Sequence, residues 1–255
     1  MWTLSPFDFG YPWWMTSGHL IPLILCSLLA LLAWRLQWRW WLIAVPAAVA
    51  LWALAGTVIV SQVLAVQRPL TLPTTRFLPA GTGRVLDLGA GSGRATLMVA
   101  LAKPATRVVA ADIYEGYWGI DDNTPDRLRR NASAAGVSDR VEVRVADMRG
   151  LPFPDASFDG VVSSFAIDHL SRDDRRRALA EAARVLRAGG HLLVMNLAVD
   201  GWIRVALPTP PGHGYFGHQQ DAARWRQDFA DAGFDLVEEG TQPATVYFLG
   251  ARRAR

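Results

Sequence analysis

In the stretch VLDLGAGSGRATLMVA (85–100), three glycines stand at every second position, Gly89, Gly91 and Gly93, just behind Asp87. Branched apolar residues precede them and a helical pattern follows. A glycine loop at a strand-to-helix junction lets a ligand approach the backbone with no Cβ in the way and aims the helix N-terminus at it. Spacing narrows the ligand. A dinucleotide loop reads G-x-G-x-x-G, but Arg94 holds the place of the third glycine, where close helix–strand packing demands glycine or alanine. The register argues against a dinucleotide.

Around this loop, short apolar runs alternate with helical segments, which predicts βαβ units and a parallel sheet. Strands are expected at 84–88, 107–112, 141–145, 158–165 and 191–197, followed by a closing strand pair after Gly233. Helices are expected at 94–101, at 124–136 with Pro125 in its first turn, and at about 219–232. Another helix follows Ser171, which with Asp174 makes a capping-box-like pair, and Gly189 is its expected stop. The fold class expected is α/β: a doubly wound, mostly parallel, seven-stranded, Rossmann-like sheet.

The front of the chain is different. Asp8, Arg35 and Arg39 are the only charged residues in 1–66. Residues 40–66 form an apolar run long enough to cross ~30 Å of hydrocarbon. Residues 15–34 reach that length only by including Ser17, Gly18 and His19. Trp13, Trp14, Trp34, Trp38, Trp40 and Trp41 flank the two runs, where amphipathic rings suit headgroup level. The expectation is a membrane-embedded helical hairpin over 1–66, a linker over 67–83 carrying Pro69, Pro73 and Pro79, and a globular domain over 84–255. A secretory signal wants a basic start, and the first 34 residues have neither Lys nor Arg. A buried hairpin in a soluble oligomer remains the alternative.

Orientation is less constrained. Arg35 and Arg39 in the turn weigh against Arg68, Arg76 and Arg84 on the domain side. The single Cys26 lies in the first apolar run, so no disulfide framework is available, which fits a domain on the cytoplasmic side of an inner membrane. Net charge is +3, and no basic stripe with interleaved aromatics suggests a nucleic-acid partner.

The motif DLGAGSG, an acidic residue two before the first glycine, resembles the first motif of class I S-adenosylmethionine-dependent methyltransferases, small-molecule type, similar to those of quinone pathways. The likeness continues. Asp112 ends the second strand nineteen residues after Gly93, VRVADMRGLPFPDASFDGVVSS (143–164) resembles the adenine-side loop and fourth strand, and ARVLRAGGHLLVMN (183–196) resembles the approach to strand five. The resemblance implies S-adenosylmethionine as cofactor, with Asp87 orienting the methionine end and Gly89, Gly91 and Gly93 lining it. It further implies Asp112 on the ribose hydroxyls, Asp147 at the adenine amino group, Met148 and Ile113 on the ring faces, and Ser164 at the end of strand four. Bland roles stand beside these: Met148 as core, Asp147 as a turn cap.

Methyl transfer asks the protein to position two partners and to remove a proton where the acceptor needs it. Asp168 and His169, just past strand four, are the candidates, although both precede a capped helix and capping is the commoner fate of such residues. The long stretch 200–220 suggests a lid over the substrate, with Trp202, His213, Tyr215, Phe216 and His218 as its wall and Trp118 contributing from the insertion after Asp112. His213 and His218 lack a third ligand at useful spacing, so no metal is expected. A membrane tether would concentrate a lipophilic acceptor, a quinone precursor or a lipid headgroup, with membrane lipids as partners and a homo-oligomer open. A soluble acceptor with the hairpin as anchor alone, an oxidoreductase, and a non-catalytic cofactor sensor are the alternatives.

Overall fold

The computed structural model of the chain describes residues 5–116, 120–198, 200–207 and 222–254. Seven strands form one sheet: β1 (Thr82–Leu88), β2 (Ala105–Asp112), β3 (Val141–Val145), β4 (Phe158–Ser164), β5 (Leu186–Leu197), β6 (Phe234–Gln242) and β7 (Thr245–Arg252). Their order is β3-β2-β1-β4-β5-β7-β6. The first five run parallel, and β7 is antiparallel to both β5 and β6. From β1 the chain builds outward through β2 and β3, then returns to place β4 on the other side. That reversal opens a crevice at the carboxyl ends of β1 and β4, the place where open α/β sheets bind ligands.

The helices are α1 (Trp13–Ser17), α2 (Leu20–Arg35), α3 (Trp40–Val58), α4 (Arg94–Ala102), α5 (Pro125–Ala134), α6 (Arg172–Val185), α7 (Gly201–Ala206) and α8 (Ala222–Asp231). Helix α5 starts as its sequence demands, with the Thr124 side chain accepting from the Arg127 N–H and Pro125 in the first turn. Ser171 likewise accepts from the Asp174 N–H at 3.1 Å. Gly189 is not a helix stop. Helix α6 ends at Val185 and the chain passes straight into β5, where Gly189 (φ 73°) lies beside a register shift in the β4–β5 ladder. Pairing of Leu186 with Phe158 overrides the stop signal.

Helices α2 and α3 pack antiparallel, with Ala33, Ala50, Ala53 and Gly56 buried where small residues let backbones approach. Their outward faces are apolar: Ile24, Leu28, Val45 and Leu51 are all more than half exposed. Helix α3 continues through a π-turn, Ile59–Val63, and the combined 24 residues are long and apolar enough to cross a membrane by length and composition. Helix α2, at 16 residues, is shorter than a span requires, but α1 leads into it through Gly18 and His19, both in right-handed helical conformation.

Segments outside the sheet complete the core. Phe9 and Phe77 are buried in one cluster with Val85, Leu97, Val162, Leu193 and Leu249. Phe77 lies against Gly160, where a Cβ would stand 3.0 Å from the ring. Thr74 donates to Glu238 at 2.8 Å. The stretch 67–83, for all its prolines, is therefore packed onto the sheet. Phe77→Ala should destabilise the full-length chain by about 3–5 kcal/mol, the cost of emptying a fully buried aromatic site. Denaturant unfolding checks it, and a change under 1 kcal/mol, the scale of surface substitutions, would reduce 67–83 to a tether.

Candidate functional site

Gly89, Gly91 and Gly93 all have left-handed backbone, with φ of 72°, 52° and 95°. The loop uses that freedom to fold back on the neighbouring strand. Gly89 and Ala90 donate their N–H groups to Ala111 O at 2.8 and 3.1 Å, and Gly91 N–H reaches Asp112 Oδ2 at 2.8 Å. The other Asp112 oxygen accepts from Tyr114 N–H at 2.7 Å. Gly93 then caps α4. A Cβ on Gly89 would stand 2.3 Å from Ala166 Cβ and 3.0 Å from Met148 Cε. That collision shows how closely the loop, the Met148 side chain and the segment after β4 converge on the crevice.

Asp87 lies beneath the loop and is fully buried. Its Oδ2 accepts from the Thr96 hydroxyl at 2.6 Å, while Oδ1 has no hydrogen-bond partner among the described residues. Burial pushes its pKa from 3.8 to about 7, with the Asp112 charge adding to the rise and the Thr96 hydrogen bond opposing it. A cation brought to the free oxygen would be strongly favoured there.

The other wall starts where β4 ends. Ser164 Oγ is buried and without a partner among the described residues, and Phe165 takes a left-handed φ of 52° with its N–H on Met195 O at 2.9 Å. A single 3-10 turn, Ile167–His169, carries the acid–base candidates. Asp168 is pushed above the usual carboxylate range, chiefly by burial, against the opposing charges of His169 and Arg175. Ile113 is half-buried directly after Asp112. Asp147 is turned elsewhere: both carboxylate oxygens bind the Arg149 guanidinium, at 2.6 and 3.0 Å, which holds its pKa low. Trp202 lies on α7, about half exposed. Trp118, His213, Tyr215, Phe216 and His218 fall outside the described residues.

Arg94 has a different place from the one its register suggested. It turns away from the sheet, while Ala95 behind it is buried. Its guanidinium donates to Tyr11 Oη, Arg68 O and Ala65 O at 3.1, 3.0 and 3.2 Å, and it faces the Phe9 and Tyr11 rings. Residues 8–11 also lie on α5: Asn131 donates to Asp8 O and Ser92 O at 2.7 and 2.8 Å and accepts from Asp8 N–H at 2.9 Å. Two positions escaped the sequence reading. Thr96 carries a weak signal, a hydroxyl in the first turn after the loop, and Asn131 carries none.

Residues 85–190 match the family model described as "Methyltransferase domain". The chain is 35% identical over 138 residues to 27-O-demethylrifamycin SV methyltransferase of Amycolatopsis mediterranei, covering 53% of this chain and 44% of that protein. It is 35% identical over 134 residues to demethylmenaquinone methyltransferase of Thermus thermophilus, covering 52% and 51%. The chain thus spans about half the length of these curated relatives. In fold it is similar to the O-methyltransferase NcsB1 from neocarzinostatin biosynthesis, solved with S-adenosyl-L-homocysteine and 1,4-dihydroxy-2-naphthoic acid. The TM-score is 0.51 at 22% identity, over 69% of this chain and 50% of that one.

Two outcomes test this geometry. Gly89→Ala should weaken S-adenosylhomocysteine binding about tenfold or more, read by calorimetry, because the substitution adds backbone strain and a collision with Ala166. The second concerns Asp87. Its folded pKa lies above the unfolded value, so the folded chain retains a proton that the unfolded chain has released, and stability falls as pH rises from 3.8 to about 7. Asp87→Asn in the cofactor-free chain should remove that fall, and melting curves across the window should diverge from wild type with rising pH, then run parallel.

Proposed function

We propose that the chain is an S-adenosylmethionine-dependent methyltransferase, anchored in the inner membrane with its globular domain on the cytoplasmic side, acting on a small lipophilic acceptor. A quinone precursor or a lipid headgroup is the acceptor class. One observation carries the reading: the buried Asp87 oxygen that has no hydrogen-bond partner among the described residues lies beneath a loop of left-handed glycines, beside the Asp112 carboxylate at the end of β2. These groups fit the cofactor. A buried acceptor without a partner suits a cationic methionine end, and side-chain-free backbone suits close approach.

S-adenosylmethionine supplies a methyl group activated by its sulfonium. The residues of the chain do the rest. Asp87 and the three glycines hold the methionine end, Asp112 accepts from the ribose hydroxyls, and Met148 and Ile113 cover the adenine faces, with Ser164 at the floor. Asp147 meets the adenine amino group by turning one oxygen from Arg149, a half-exposed pair that costs little to rearrange. Asp168 and His169 take a proton where the acceptor must lose one. Trp202, about half exposed on α7, is the described candidate for contact with the acceptor; Trp118, His213, Tyr215, Phe216 and His218 lie outside the described residues.

The lipophilic acceptor is supported by the exposed apolar faces of α2 and α3 and by relatives named for demethylmenaquinone and 27-O-demethylrifamycin SV. The test uses full-length protein, native membrane extract and S-adenosylmethionine labelled on its methyl group, with Asp112→Ala as control. The expected outcome is label in the organic phase, lost in the control. Label confined to the aqueous phase would overturn the lipophilic acceptor.

A further inference from the structure

At the junction of the hairpin and the globular domain lies a cavity of about 370 Å³, roomy enough for a small polar group. Three stretches line it: Phe7 and Thr16 ahead of the long apolar helices, Ser61 and Gln62 in the π-turn, and Gln67 and Arg68 just past it. No residue of the glycine loop or of the segment after β4 is among them. A sharp turn makes the room. Ala65 takes a left-handed φ of 45°, Arg68 N–H closes on Ala65 O at 2.8 Å, and the Arg68 carbonyl is drawn to Arg94 at 3.0 Å.

The chemistry of this wall is one-sided. Arg68 is its sole charged residue, and the guanidinium has no ion pair or hydrogen bond among the described residues. The hydroxyls already serve the backbone: Thr16 donates to Trp13 O at 3.3 Å and Ser61 to Thr57 O at 2.7 Å. The Gln62 and Gln67 side chains are exposed beside it. Asp8, the acid nearest in sequence, pairs instead with Arg127 on α5 at 3.4 Å. An unpaired guanidinium with amides beside it and no carboxylate suits a phosphate that carries hydroxyls, because the guanidinium fork matches two phosphate oxygens.

Position selects among phosphates. Val63 ends the 24-residue run that is long and apolar enough to cross a membrane, and Arg68 follows closely. With that run in hydrocarbon, the cavity lies at headgroup depth. Trp13 and Trp14, on α1 with Thr16, are more than half exposed, as rings at that depth are. Leu51, Leu54 and Val58 are exposed at helical spacing, so they form one apolar stripe along α3 that leads to Ser61 and Gln62. An acyl chain lying on the stripe brings its headgroup to the cavity.

We propose that this cavity binds the headgroup of an anionic phospholipid, with its phosphate on the Arg68 fork and its hydroxyls on the Gln62 and Gln67 amides. The lipid is a bound ligand, separate from the methyl acceptor. A zwitterionic headgroup is disfavoured, because it would bring an ammonium to a wall without a carboxylate. The proposal rests on the membrane-anchoring part of the reading above.

The test uses full-length protein in neutral detergent, as wild type, Arg68→Gln and Arg35→Gln, the last removing a cation from the far turn of the hairpin. Each arginine is exposed, so neither substitution disturbs the core. Native mass spectrometry reads bound lipid during titration with phosphatidylglycerol or phosphatidylcholine. Wild type should take up one phosphatidylglycerol with about tenfold preference, which Arg68→Gln loses and Arg35→Gln keeps. Equal uptake of the two lipids by wild type would overturn the site. Equal loss in the two variants would reduce it to the general attraction of anionic lipid to cations, which overturns it as well. Displacement of the lipid by millimolar inorganic phosphate would make the ligand a free anion and overturn the lipid source. Flotation with pure phosphatidylcholine vesicles separates the remaining failures. A wild type that does not float would overturn the anchoring reading and the lipid site with it, whereas flotation without lipid preference would overturn the site alone.

Discussion

At Gly89, Gly91 and Gly93 the backbone takes up a conformation in which a side chain would crowd the following carbonyl. Three such residues within five positions let the chain leave β1, lay its N–H groups against Ala111 and Asp112, and enter α4 without a longer connection. Asp87 can then be sealed beneath the turn, and its raised pKa is a consequence of that sealing. Without the tight turn, a carboxylate at the end of a central strand would reach water. The crevice, its acidic floor and the direction of α4 all follow from this one backbone constraint.

The same loop ties the N-terminal region to the domain. Arg94, the first residue of α4, binds the carbonyls that follow the π-turn of the hairpin and the aromatic rings of residues 9–11. Asn131 fastens Asp8 and Ser92 with one amide. The N-terminal region is therefore continuous with the glycine loop through Arg94 and Asn131 and, through His19 and Trp52, with α7. Removal of 1–66 would extract Phe9 from the core as well as the apolar helices, so a truncated chain would report on packing as much as on anchoring.

Much of the sheet was legible because its strands are buried apolar runs and its helices carry local start signals, as at Thr124 and Ser171. The glycine register and the acid at the end of β2 were legible because backbone conformation demands particular residue types. What the sequence concealed was tertiary. Nothing local tells that Phe77 leaves a proline-rich stretch for the core, that Gly189 serves a strand irregularity, or that Arg94 faces outward. Asp147 was readable as an acid soon after β3 but not as the partner of Arg149, since a two-residue spacing favours neither outcome. His19 read as a polar interruption of an apolar run; its partner lies 187 residues away.

The lock between Asp8 and Asn131 closes a loop of 123 residues. Closure entropy must be met before so distant a contact returns any free energy, whereas α2 and α3 need only a short turn to pair. Phe9 shares its cluster with Leu249 of β7, the last of the seven strands in chain order. During synthesis the hairpin can assemble while the residues ahead of it still lack a surface to join. Residues 8 and 9 thus find their partners only in segments made far later, Asn131 and Leu249, and their docking requires strands from both ends of the sheet's chain order.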